Sequence, residues 1–74
     1  MTPDDETLRE DERWTYRVLR LAMVELADHP LDDELGLARV RQRYGTAREN
    51  WATAVRALDR FTMATRAAAA DAAR

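Results

Sequence analysis

The 74 residues contain no cysteine, serine, lysine or isoleucine, one histidine, one phenylalanine, two glycines and two prolines. Without cysteine there is no disulfide, and the compartment leaves no redox trace. Cys–His pairs and Ser-based triads are excluded by the same absences. The single histidine, His29, follows Glu25 by four residues, which would put both on one helix face. Di-iron bundles instead place Glu and His three apart and add carboxylates from facing helices. His29 also adjoins Pro30, where a helix must end, so a capping or solvent-exposed role is expected. No metal and no cofactor are predicted. The 12 basic residues are all Arg, which we attribute to GC-rich coding. No basic segment followed by an apolar run opens the chain, and no stretch approaches the ~20 apolar residues that span a bilayer. A cytoplasmic protein without membrane association is expected.

The apolar share is 46%, but 14 of those 34 residues are Ala. One domain of this size is near the limit for a single core. Small scaffolds are usually stapled by disulfides, a metal or a partner subunit. Only the last remains here, so a homo-oligomer is expected, a dimer first.

What is present centres on Trp14 to Ala27, WTYRVLRLAMVELA. At about 100° per residue, Trp14, Val18 and Leu21 share one side of a helix. Leu8, Leu19, Met23 and Leu26 share a second side, which Tyr16 and Ala27 extend. Ala22 bridges the two, and Arg13, Arg17 and Arg20 fill the remaining gap. An ordinary surface helix needs a stripe a little over ~100° wide; this one is roughly twice that and must be covered from two sides.

Alternating β patterns, Gly-rich loops and internal repeats are missing, so the chain is predicted to be all-α. A first helix is expected from about Asp5 to Asp28, with Thr2 or Asp4 as cap and Pro3 in the first turn. Pro30 ends it by driving His29 out of the α region. A short second helix is expected over 31–44, with Asp32, Asp33 and Glu34 in its first turn and Arg39, Arg41 and Arg43 in its last. The macrodipole favours that order. Its apolar residues divide into Leu31, Leu35 and Ala38 on one side and Leu37, Val40 and Tyr44 on the other. Gly45 then reads as a C-terminal stop, and Thr46-Ala-Arg-Glu49 as the capping box of a third helix. That helix, over 46–70, carries Trp51, Ala54, Val55, Leu58, Phe61, Thr62 and Thr65 on one stripe. Residues 1–4 and 71–74 are expected to fray. The prediction is a compact long–short–long three-helix unit, paired into a dimeric helical bundle. No helix sustains three clean heptads, so no coiled coil is expected.

Three functions follow from these residues. The favoured one is a non-enzymatic oligomerising interaction module, or small accessory subunit, that binds a protein partner. Its interface anchors would be Trp14, Val18, Leu21, Met23, Tyr44, Trp51, Leu58 and Phe61, with the two Trp residues dominant. The alternative is a helix–turn–helix DNA-binding regulator using residues 37–56, with Gly45 in the turn and Arg39, Arg41, Arg43 and Arg48 near phosphates. Against it, Arg41 replaces a small residue, Thr46 replaces an apolar one, and Glu49 repels phosphate. The third is a helical ligand-binding protein or enzyme with an intersubunit pocket, where Arg13, Arg17, Arg20 and Glu25 would hold an anion. Glu25 falls inside the apolar sector and is expected as a buried carboxylate paired with an Arg. Charge is divided unevenly: residues 1–35 carry 11 acids and 4 Arg, whereas 36–74 carry 3 acids and 8 Arg. Two halves folding against each other account for this without an anionic partner.

Overall fold

A computed structural model describes residues 4–73. Among them are two helices, α1 (Asp5–Asp28) and α2 (Glu34–Ala72), joined by residues 29–33 into an antiparallel hairpin. The molecule measures 63 × 20 × 15 Å. The three-helix unit is therefore corrected to two helices, and the compact shape to an extended one.

Helix α1 occupies the span expected of the first helix. Asp4 is its N-cap, its carboxylate accepting a 2.8 Å hydrogen bond from the Thr7 amide. Thr2 and Pro3, the other capping candidates, lie outside the described residues. Asp5 and Glu6 stand in the first turn, where the helix dipole favours acids. At the far end His29 is extended (φ −73°, ψ 135°), as the following Pro30 requires.

The second helix starts later than expected, at Glu34. Asp33 caps it by accepting from the Gly36 amide at 3.1 Å. His29 Nε2 lies 3.1 Å from the other Asp33 oxygen, which links the end of α1 to the start of α2. Gly36 is needed for this close approach. A Cβ there would collide with the Asp33 carboxylate and stand 2.7 Å from His29 Nε2.

Gly45 does not stop the helix. A glycine C-cap needs left-handed backbone, and no described residue has positive φ. It sits on the outer surface of α2, where a Cβ would meet nothing within 4 Å. Thr46 and Glu49 form no capping box, since amides in mid-helix already bond within the helix. Arg39, Arg41 and Arg43 consequently lie in the early turns of a 39-residue helix, not in a last turn.

The reason for continuity is the phase of the apolar residues. Leu37, Val40, Tyr44, Ala47, Trp51, Ala54, Leu58, Phe61 and Thr65 follow one another at alternating spacings of three and four. From Leu37 to Phe61 all of them are buried or half-buried. A glycine inside a helix costs about 1 kcal/mol. Each large apolar side chain kept buried returns about 1.5–3 kcal/mol, so an unbroken stripe outweighs the glycine. The absence of sustained heptads follows only from dividing the stripe at Gly45.

Helix α1 answers with Leu8, Glu12, Thr15, Leu19, Ala22 and Leu26, also at four-three spacing and all at least half-buried. Leu19, Ala22 and Ala47 form a buried cluster within the seam, against which Tyr44 and Trp51 pack, and Val40 farther along is the most deeply buried side chain. Glu12 is polar within this seam, and Trp51 Nε1–H donates to its carboxylate at 3.2 Å. The hydroxyl of Thr15 is absorbed locally, bonding the Asp11 and Glu12 carbonyls. Between the acidic and basic halves, one ion pair crosses the seam among the described residues, Glu25 with Arg43.

Candidate interaction site

Beside the seam, on one side of the hairpin, α1 and α2 enclose an open groove. Val18, Leu21 and Glu25 of α1 form one wall. Facing them are Arg39, Arg43, Thr46 and Asn50 of α2. Ala22 and Ala47 make the floor, both buried, and their small side chains leave the space above them open. Trp14, one turn before Val18, prolongs the apolar wall.

That wall is uncovered. Trp14 is 64% exposed, Leu21 67% and Val18 38%. Trp14, Val18, Leu21 and Glu25 repeat the four-three spacing of the seam, displaced around the helix by roughly a third of a turn. Helix α1 thus carries two stripes, of which α2 covers one. Of the expected two-sided second helix, Leu37, Val40 and Tyr44 face α1, whereas Leu35 is 69% and Leu31 83% exposed.

The eight expected anchors divide accordingly. Tyr44, Trp51, Leu58 and Phe61 lie half-buried along the intramolecular seam. Trp14, Val18 and Leu21 form the free wall. Met23 is 48% exposed on the opposite flank of α1, near Tyr16. The Tyr16 ring packs tilted on Trp51 with centroids 5.8 Å apart, and Arg20 approaches Tyr16 from outside at 6.0 Å.

Glu25, expected as a buried carboxylate, keeps 43% of its side chain exposed at the groove edge, paired with Arg43 of the same chain. Arg13, Arg17 and Arg20 are exposed and do not converge on it. The four arginines expected near phosphate do not share a surface either. Arg39 and Arg43 line the groove, while Arg48 lies with Gly45 and Glu49 on the outer surface of α2. Arg41 falls on a flank away from Arg39 and Arg43 by helical periodicity. Residues 37–56 contain no turn, so the turn on which a helix–turn–helix depends is absent from them.

Sequence reasoning misses the roles of Glu12 and Thr15 in the seam. Their signal is the four-three spacing from Leu8 to Leu26, which continues through both polar residues. Among titrating groups, Asp4 is held below the ordinary carboxylate range, chiefly because the Thr7 amide donates to it. Among the described residues, no three Asp, Glu or His side chains gather in a way that would hold a metal ion. No helix of the described residues is long and apolar enough to cross a membrane. The chain matches no family model, no curated protein and no solved structure.

Proposed function

We propose that this protein is a non-enzymatic interaction module that binds another polypeptide through the Trp14–Val18–Leu21 wall and the adjoining groove. One observation carries the reading: a Trp and a Leu, each about two-thirds exposed, stand in line with Val18 on one helix. Contiguous apolar surface of this kind, rimmed by charge, is characteristic of protein contact surfaces. Burying each of these side chains is worth about 1.5–3 kcal/mol, and Trp is the residue type that most often dominates interface energy. The groove offers a shelf for a helix, with an apolar wall, an alanine floor and the Glu25–Arg43 pair at one end.

The test is photo-crosslinking in cells that express the chain, with a photoreactive side chain replacing Trp14 and, as control, replacing Arg13 on the polar side of α1. Polypeptide adducts from position 14, at least tenfold above position 13, are expected. Equal labelling at both positions, or no polypeptide adduct from position 14, would overturn the reading.

A further inference from the structure

We infer that the polypeptide covering this wall is a second copy of the same chain, with α1 of each copy lying antiparallel against α2 of the other. The inference rests on the protein-contact reading above and supplies its partner.

Surface area gives the first reason. A compact 8.5 kDa chain is expected to expose about 4,700 Å², whereas the hairpin exposes 6274 Å². The excess is of the order that one chain contributes to a large, obligate homodimer interface. Part of it lies on the end of α2 that extends past α1; two hairpins placed side by side would bury the rest on both copies at once.

The second reason is the surface that α2 presents on the groove side. Thr46, Asn50, Thr53 and Ala57 recur there at spacings of four, three and four. They are small and uncharged, and none is fully buried by α1. Large residues on α1 and small ones on α2 are complementary in size. Within one chain the helices align so that Glu25 meets Arg43 and Tyr16 meets Trp51. Repeating that alignment between copies sets Leu21 over Thr46, Val18 over Asn50, and Trp14 between Thr53 and Ala57.

Charge decides between this pairing and its rival. If α1 instead paired antiparallel with α1 of the second copy about Val18, Glu25 would stand against Asp11, and two acidic helices would adjoin. Pairing α1 with α2 brings the acidic half of each chain against the basic half of the other. Glu25 of one copy approaches Arg39 and Arg43 of the second, so carboxylates and guanidinium groups alternate across the two-fold axis. That axis runs parallel to the helices, the contact is made twice, and the assembly closes.

Sedimentation equilibrium of the full chain is expected to give twice the 8.5 kDa chain mass. Asn50→Arg lies outside the intramolecular seam and should raise the dimer dissociation constant at least tenfold, as should Leu21→Arg. A photoreactive side chain at position 21 of the purified chain should crosslink to residues 46–50 of a second copy, identified by mixing isotopically light and heavy chains. If either variant also loses helicity, that crosslink map decides alone. A dimer lost in Leu21→Arg but indifferent to Asn50→Arg, with crosslinks to α1, would overturn the α1–α2 pairing. A helical monomer whose Trp14 site still crosslinks a different polypeptide in cells would overturn self-pairing and leave the contact reading standing. A helical monomer with no polypeptide adduct from that site would overturn both.

Discussion

Leu19 and Leu21 stand two residues apart on α1, are chemically identical, and end at 7% and 67% exposure. Leu19 belongs to the stripe that α2 covers, and Leu21 to the stripe that nothing among the described residues covers. Periodicity assigns equal apolar character to both stripes. What separates them is supply: α2 has one continuous apolar face, and a hairpin can bring that face to only one side of α1. The covered stripe holds the fold together, and the uncovered one is the surface that the proposed contact would use. A helix that is apolar on two sides within a two-helix hairpin therefore leaves one of its apolar stripes exposed.

The strongest way to test that division is to truncate both leucines. Leu19→Ala removes a buried side chain from the central cluster of the seam and should cost ~2–5 kcal/mol, enough to unfold so small a domain. Leu21→Ala should leave the hairpin helical and weaken only its association. Urea titration followed by circular dichroism, run at several concentrations, separates the two effects; comparable loss of monomer stability at both sites would break the comparison.

A smaller effect is expected where the covered stripe begins. Gly36→Ala should push the Asp33 carboxylate off the Gly36 amide and away from His29. Loss of such a cap costs ~0.5–2 kcal/mol. The same exchange gains up to about 1 kcal/mol of helix propensity, so the cap is read by adding Asp33→Ala: a Gly36→Ala chain that loses further stability on that second change would show that Asp33 still caps α2 from another rotamer.

Gly45→Ala has the opposite sign. The outer surface there is open and the backbone is helical, so replacing the glycine should stabilise by about 1 kcal/mol. Destabilisation would mean that α2 is interrupted at Gly45. Thr46→Ala, a residue beside it, should change stability by less than about 0.5 kcal/mol, because there is no capping box to lose.

The smallest effect concerns the cap of α1, which belongs to neither stripe. The native Asp4 carboxyl is depressed below its ordinary value of 3.8. Its contribution is thus complete above that value and is lost as pH falls through the lowered native one. Amide exchange at Thr7 should quicken over that acid interval relative to amides in the centre of α1. Asp4→Asn, which still accepts a hydrogen bond, should flatten the dependence.

Much of this architecture is legible in the sequence. The all-α class, the ends of α1 and the two-sided character of Trp14–Ala27 follow from spacing, from Pro30 and from the caps. The division at Gly45 fails because it gives local chemistry priority over phase. A glycine followed by Thr-x-x-Glu has the composition of a helix boundary, yet these signals act only on backbone groups that are already free. Tyr44 before the glycine and Ala47 after it hold the same phase as Leu37, Val40 and Trp51, and a true break would have shifted that phase. For the groove, Trp14, Val18 and Leu21 are identifiable from the helical wheel. The partition of Trp14 from Trp51 is not, because it depends on which stripe α2 takes. Glu12 is hidden for a different reason: a carboxylate at a seam position looks like a solvent-facing residue until its indole partner is known.

The long, narrow outline of the hairpin, 63 Å by 20 Å by 15 Å, also governs how the molecule moves through water. A rod spins about its long axis faster than it turns end over end, and amides in both helices lie nearly along that axis. Their ¹⁵N relaxation should report mainly the slow end-over-end turning, so a single chain will tumble like a larger globular protein. Side-by-side pairing doubles the mass while adding thickness and no length, which brings the two rotations closer together. Rotational anisotropy should therefore fall on association, even where elution volume barely shifts.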